Sequence, residues 1–325
     1  MTTALVTGAN GFIGSALCAA LANHDYCVRG VVRDPSRSAG LSCEITKVRD
    51  IEPDTDWSGS LIGVGMVVHL AARVHMMRDS ATDPLAEFRR VNVAGTLNLA
   101  RQSAAAGVRR FVFLSSVKVN GETTGSRAKG KVAREENGRV GFSEKDTPNP
   151  QDPYSVSKWE AELALKHIAA ETGMEVVILR PPLVYGPGVK ANFAALMRAV
   201  QRGWPLPLGS VQNQRSLVAL DNLVDFIVTC ITHPQAANQT FLVSDGQDLS
   251  TTELVRGMAQ AAGVPARLLP VPVWALQAGA SLLGKGDAVQ RLCGNLQVDM
   301  SKARSLLGWV PPVSVEEGLS RAMAG

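Results

Sequence analysis

The sequence predicts an α/β protein with a doubly wound parallel sheet and a smaller lobe toward its carboxyl end. Three observations point there. Short apolar runs alternate with helical patterns through the first half of the chain. A glycine-rich turn follows the first run directly. The second half loses this rhythm and is broken by Pro181, Pro182, Pro187, Pro205 and Pro207.

In chain order, Ala4–Val6 is a buried strand and Ile13 to about Asn23 a helix. Val28–Val32, Ile45–Val48, Met66–Leu70 and Arg110–Leu114 are the next strands, with a helix at Val91–Ala106 before the last of them. A helix at Ser155–Glu171 leads to a strand at Val176–Leu179. Strands of three to five residues separated by helices form βαβ units. Asn120–Pro153 is polar and long for a loop, so it is a flap or carries short elements of its own. Residues 1–180 are expected to form the first lobe and 181–325 mainly the second, with chain crossing between them and a helix at Asn192–Arg202.

Composition excludes several classes of protein. With 46% hydrophobic and 19% charged residues over 325 positions, the chain is globular and has a sizeable core. A formal charge of +4 is too small and scattered for a nucleic-acid protein, though it leaves room for local anion sites. The five cysteines have no metal-ligand spacing, so neither a disulfide framework nor a metal site is expected. A reducing, cytoplasmic setting follows, and no signal peptide is read. The uncharged stretch between Arg267 and Lys285 is 17 residues with two prolines. That is short for a membrane span, so a buried or peripheral helix near Trp274–Leu283 is expected.

Thr7-Gly8-Ala9-Asn10-Gly11-Phe12-Ile13-Gly14 follows a strand and opens a helix. Glycines at 8, 11 and 14 supply a tight turn, backbone access to a pyrophosphate, and close helix–strand packing. The helix amino terminus adds free N–H groups and a partial positive charge. This is a Rossmann-type dinucleotide site. At the end of the second strand, Val32 occupies the place of the usual ribose-binding acid and Arg33 follows, with Arg37 nearby. An arginine there suits a 2′-phosphate, which favours NADP(H); Asp34 keeps NAD(H) open.

Tyr154-Ser155-Val156-Ser157-Lys158 puts a phenol and an ammonium on one helix face. An ammonium stabilises phenolate and lowers its pKa toward neutrality, as a general acid–base needs. The strand ending at Leu114-Ser115-Ser116 can bring a hydroxyl to the same place. Ser116, Tyr154 and Lys158 then converge on one carbonyl oxygen.

Together these motifs resemble the extended short-chain dehydrogenase/reductases, in particular the nucleotide-sugar epimerase/dehydratase group, over nearly the whole chain. The resemblance implies cofactor contacts from Gly8, Asn10, Gly11, Phe12, Ile13 and Gly14, and adenine contacts from Asp50-Ile51. Leu70-Ala71-Ala72 would lie below the nicotinamide ribose, with Asn92 on the following helix. Tyr154 and Lys158 serve both cofactor and catalysis in this scheme. Arg180 to Gly188 is similar to the segment entering the substrate lobe. There the resemblance implies a UDP-sugar: Asn192 and Arg215 on the diphosphate, and Leu206–Gly209, including Leu208, beside the uracil. A guanidinium fork matches phosphate oxygens, which makes Arg215 chemically sensible. The family's later Arg before Gly-Asp is missing, and Arg291 stands in the corresponding region. Homodimers pairing through the helices of Asn92 and Tyr154 are also implied.

Residues after Ser116 separate the reactions. Family 4,6-dehydratases carry an Asp-Glu pair there, whereas this chain has Val117 and Lys118, which cannot do that proton work. Lys118 beside Ser116 is instead a substrate-binding candidate. Two readings remain, a 4-ketoreductase and a 4-epimerase. Val32-Arg33 favours NADPH-dependent reduction of a UDP-4-keto-6-deoxy-N-acetylhexosamine for surface polysaccharide, and Ser115–Gly121 looks like that of such bacterial reductases. The alternative is a UDP-hexose 4-epimerase with tightly bound NAD. A non-catalytic dinucleotide sensor is disfavoured by Tyr154 and Lys158. His75, Met76 and Met77 either line the sugar pocket or pack at the surface.

Overall fold

A computed structural model of the chain describes residues 2–38, 40–74, 83–125, 141–282, 284 and 286–325. His75, Met76 and Met77 lie outside the described residues, as does the middle of the 120–153 stretch. The strands are β1 (Thr3–Thr7), β2 (Cys27–Val32), β3 (Glu44–Lys47), β4 (Val64–His69), β5 (Arg110–Leu114), β6 (Glu175–Arg180), β7 (Leu183–Tyr185), β8 (Leu217–Ala219) and β9 (Thr240–Leu242). Seven of them form one sheet in the order β3-β2-β1-β4-β5-β6-β9, with every pair parallel. Strands β7 and β8 pair separately.

The helices are α1 (Phe12–Asn23), α2 (Ser58–Leu61), α3 (Pro84–Phe88), α4 (Thr96–Ala105), α5 (Pro153–Thr172) and α6 (Ala191–Gln201). They continue with α7 (Leu220–Thr232), α8 (Thr251–Ala261), α9 (Val273–Leu282), α10 (Gly286–Cys293), α11 (Ser301–Leu307) and α12 (Val315–Ala324).

Alternation along β1 explains the layering. Ala4 and Val6 face one core with Leu17, Leu21, Phe226 and Trp309. Leu5 faces the other core with Phe111, Leu99, Leu165 and Ile168. Thus α1 and α7 cover one face of the sheet, and α4 and α5 the other. A third core of Tyr185, Phe193, Leu208, Met258 and Leu319 holds the second lobe.

One helix differs from expectation. The expected Val91–Ala106 helix begins earlier, with α3, and passes through a π-helical stretch at Arg89–Gly95 before α4. Asp83 caps its start by accepting a hydrogen bond from Ala86 N. Gly95 allows the passage: a Cβ there would lie 2.5 Å from the Ile51 carbonyl oxygen. Strands β7, β8 and β9 were too short to be read from periodicity.

Strand order reverses direction between β1 and β4. In doubly wound sheets ligands settle outside the carboxyl ends at that switch point. The segments leaving β1, β4 and β5 there are the Gly8 turn, Leu70–Ala72 and Ser115–Ser116.

Candidate active site

The glycine turn is built by contact. Gly8 sits at φ +69, and a Cβ on it would press within 3.2 Å of the Ala71 backbone. Gly11 N donates to Gly8 O at 2.9 Å, closing the turn. A Cβ on Gly14 would stand 2.1 Å from Gly8 O, so α1 can approach the strand only with glycine there. At Gly11 the added atom would meet only Gly8 O, at 3.0 Å, which leaves open space on its outer side. The α1 terminus has no side-chain cap and no acid in its first turn, so its N–H groups are available to an anion. Asn10 is exposed beside it, and Phe12 and Ile13 are half-buried. These features fit a dinucleotide pyrophosphate.

Thr7 ties the turn to β4. Its Oγ1 accepts from Leu70 N and Ala71 N, both at 3.2 Å, and lies 2.7 Å from His69 Nδ1. With both lone pairs occupied, the Thr7 hydroxyl donates to Nδ1; Nε2 then carries the proton and donates to Thr96 Oγ1 at 3.0 Å. Burial, with the Lys158 charge adding, pushes the His69 pKa down to about 3. Sequence reading took His69 as a strand residue only. A histidine inside an apolar strand was the available signal.

At the adenine end, Arg33 is 80% exposed and its guanidinium is 4.0 Å from the Asp50 carboxylate. Asp34 accepts from Ser36 N and Ser36 Oγ, capping its own turn. Ile51 is half-buried under Gly95. Asn92 acts as a clamp. Its Oδ1 accepts from Arg73 N and its Nδ2 donates to Arg73 O and Ser157 Oγ, while Ser157 Oγ donates to Tyr154 O. The loop after β4 is thereby fastened to α5.

Helix α5 starts at a capping box, with Asp152 accepting from Ser155 N at 2.7 Å and Ser155 Oγ returning to Asp152. This places Tyr154 in the first turn, its ring edge-on to Phe88 at 6.2 Å. The Tyr154 hydroxyl has no protein hydrogen bond among the described residues. Lys158 is buried. Its ammonium donates to Leu114 O at 2.7 Å, lies 4.4 Å from the Phe113 ring centre and 6.0 Å from that of Tyr154. Ser116 caps the short turn after β5, its Oγ accepting from Lys118 N at 3.2 Å.

The electrostatics differ from expectation in one respect. Burial, with Asp152 adding, pushes the Tyr154 phenol up rather than down. Lys158 does not offset this: burial lowers its own pKa to about 7, so near neutral pH it is only partly charged. The chain alone therefore holds a neutral phenol ready to donate.

One turn below Lys158, Glu162 forms a buried pair with Arg180 at 2.5 Å and accepts from Ser115 Oγ at 2.5 Å. Arg180 also donates to Asn120 Oδ1 at 2.9 Å. This network fixes β5, β6 and α5 behind the site. Sequence reading missed it, although a carboxylate on the same helix face as Ala161, Leu165 and Ile168 requires a partner.

The expected substrate residues are less uniform. Lys118 is bound by Asp152 at 2.6 Å and Glu122 at 2.8 Å, so protein carboxylates already neutralise it. Arg215 is half-buried, with one terminal nitrogen donating to Arg291 O at 2.7 Å and Gly294 O at 3.1 Å. Burial lowers its pKa, with Glu122 opposing. Arg291 thus supports Arg215 through its carbonyl, while its own side chain is exposed. Asn192 is exposed in the first turn of α6, after Ala191 at φ +58. Leu208 is buried, and its neighbour Gly209 donates to Leu269 O.

No group of three or more His, Cys, Asp or Glu among the described residues is placed to hold a metal. No helix among them is long and apolar enough to cross a membrane.

Known proteins resemble this arrangement. The chain is 49% identical over 322 residues to a UDP-glucose 4-epimerase of Vibrio cholerae, covering 98% of this chain and 93% of that protein. Among solved structures, MoeE5 in complex with UDP-glucose and NAD superposes with a TM-score of 0.75 at 27% identity, over 99% of this chain and 97% of that one. The UDP-glucose 4-epimerase of Thermotoga maritima with UDP-glucose gives a TM-score of 0.74 at 25% identity, over 99% and 98% of the two chains. Residues 4–244 match the NAD dependent epimerase/dehydratase family. The glycine turn at the β1–β4 switch point, the Tyr154–Lys158 pair and this match agree, and the chain belongs to that family.

Proposed function

We propose that this chain is a UDP-sugar 4-epimerase that retains NAD. The observation that carries the reading is Lys158 bonded to Leu114 O at the end of β5, beside the Tyr154 ring and two residues before Ser116, with Val117 and Lys118 where a dehydrating pair would stand. Such a site handles one proton at one oxygen and nothing more. Similarity to the Vibrio cholerae epimerase supports the 4-position, and NAD in the MoeE5 structure supports the cofactor. Asp50 beside Arg33 supports NAD as well, because a carboxylate there opposes a 2′-phosphate.

The α1 terminus and the glycine turn would hold the pyrophosphate, and Leu70–Ala72 and Asn92 would frame the nicotinamide end. When bound, the dinucleotide supplies the hydride acceptor and donor for C4. With Lys158 protonated and the dinucleotide in place, Tyr154 would be ionised, and its Oη would then take the proton of the C4 hydroxyl and later return it to the same oxygen. Ser116 Oγ–H donates to that oxygen and holds it in place. Lys158 stabilises the phenolate while it lasts. Arg215 directs its remaining N–H groups at the diphosphate, so the keto sugar turns over while its nucleotide stays anchored. Leu163 on α5 is half-exposed, which supports the homodimer pairing implied by the resemblance.

The test is UDP-glucose and UDP-N-acetylglucosamine incubated with purified protein and no added cofactor. Interconversion with the galacto epimers, and NAD in an acid extract, are expected. Arg33 favours a second reading, the NADPH-dependent 4-ketoreductase. Loss of NADPH absorbance with a UDP-4-keto-6-deoxy-N-acetylhexosamine, and no epimerisation, would replace the first reading by the second.

A further inference from the structure

Helix α9 packs Val273 and Leu276 on the core of the second lobe and buries Ala280. Its outer side is apolar too. Trp274 is 71% exposed and Leu282 89% exposed, with Ala278 between them on one i, i+4, i+8 row. The ribbon that leads into the helix continues this surface. Leu206 pairs with Leu268, bringing exposed Trp204 and Leu269 beside each other's strands. The Arg202 guanidinium covers the Trp204 ring at 5.5 Å. A Cβ on Gly203 would come 4.0 Å from Arg267 Nε, so both arginines border the same patch.

Charge is distributed unevenly around it. Residues 176–220 and 254–286 contain no Asp or Glu at all and carry eight Lys or Arg, of which Arg202 and Arg267 border the patch while Arg180 is buried against Glu162. With 33 basic and 29 acidic residues in the chain, everything outside these two segments is net negative. Exposed tryptophan and leucine with arginines at their border are the properties of a helix lying in a lipid headgroup region. A water-facing helix has no reason to expose this row.

We propose that α9, with the Trp204 and Leu269 ribbon, is a docking surface for an anionic phospholipid bilayer. The helix lies along the headgroups without spanning, Trp274 and Leu282 entering the acyl boundary while Arg202 and Arg267 meet lipid phosphates. The same ribbon reaches Gly209, and α10 and the residue after it carry the carbonyls that hold Arg215. Docking therefore sets the mouth of the second lobe against the membrane surface.

Sedimentation with vesicles tests this, using phosphatidylglycerol in phosphatidylcholine against pure phosphatidylcholine. The full chain is expected to pellet with the first and stay in solution with the second. Raising salt from ~0.1 M to ~0.5 M is expected to release it. Trp274→Ser with Leu282→Ser should lower the bound fraction at least tenfold while the melting temperature and solution activity stay unchanged. Arg202→Glu with Arg267→Glu should cut binding by about fivefold or more per residue changed. Equal binding to neutral vesicles, no binding at low salt, or unchanged binding of either double variant would overturn the proposal. So would a dimer that the Trp274 and Leu282 changes convert to monomer in the absence of vesicle binding.

Discussion

Lys118 Nζ lies 2.6 Å from Asp152 Oδ2, while Asp152 Oδ1 caps the helix that bears Tyr154. One carboxylate thus joins the loop of Ser116 to the helix of Tyr154. Burial works against the Asp152 anion, but the Lys118 and Ser155 hydrogen bonds outweigh it and hold its pKa below the ordinary 3.8. Both side chains are about a third exposed, so the pair alone is modest. Asp152→Ala also removes a helix cap, and a loss of about 1–3 kcal/mol in urea unfolding is expected. Lys118→Ala should cost less, and a double-mutant cycle should show positive coupling. Additive losses would separate the loop from the helix.

Tyr154→Phe keeps the ring against Phe88 and deletes only the hydroxyl. Turnover is expected to fall about a hundred- to ten-thousand-fold, with the bound dinucleotide retained. Steady-state rates and cofactor content of the purified variant check both halves. Full activity would remove the phenol from proton transfer.

Lys158 gives stability a pH dependence whose sign can be worked out. An unfolded lysine titrates near 10.5, and in the fold burial brings the pKa to about 7. Between those values the unfolded chain holds the extra proton, so this group makes stability rise with pH across that window. Below about 7 both states are protonated, and the dependence vanishes. Urea unfolding at three pH values should show the wild type gaining roughly 3–5 kcal/mol relative to Lys158→Met across the window. A constant difference would mean that the ammonium stays charged in the fold.

How legible the site was depends on how far apart its parts lie. The Gly8–Gly14 turn and the Tyr154–Lys158 spacing are local patterns, and the structure places the first at the sheet's switch point and the second at the carboxyl end of β5. The π-helical stretch at Arg89–Gly95 was not legible, and its Gly95 packs on the Ile51 carbonyl, a contact far away in sequence. Charge partners were hidden for the same reason. Lys118, a substrate candidate by sequence, has Asp152, 34 residues on, as its partner. The orientation of Arg215 comes from carbonyls 76 and 79 residues away. The direction of the phenol shift was not legible because spacing reports that Lys158 is near and says nothing of how deeply Tyr154 itself is buried.

His69 makes acid stability a reporter of the Thr7 contact. Burial holds its pKa at about 3 against an ordinary 6.5, so the unfolded chain binds the extra proton between those values. Stability from this residue is full above about 6.5 and falls as pH drops toward 3. His69→Gln should flatten that acid limb in unfolding curves collected from pH 7 downward. An unchanged limb would assign the acid sensitivity to carboxylates instead.

Two glycines of the same turn separate folding from binding. Gly14→Ala drives a Cβ to 2.1 Å from Gly8 O, a backbone atom that cannot move without parting α1 from the sheet. A loss of several kcal/mol, or failure to fold, is expected. Gly11 has φ −81 and ψ 173, which alanine adopts freely, and its new methyl would meet only Gly8 O at 3.0 Å. The Gly11→Ala chain should therefore melt within about 1 kcal/mol of wild type. Its methyl would nonetheless occupy the space where the pyrophosphate approaches the α1 terminus. Purified Gly11→Ala should carry little dinucleotide and bind added NAD at least tenfold more weakly by titration calorimetry. Normal NAD affinity in a normally folded Gly11→Ala chain would place the pyrophosphate elsewhere.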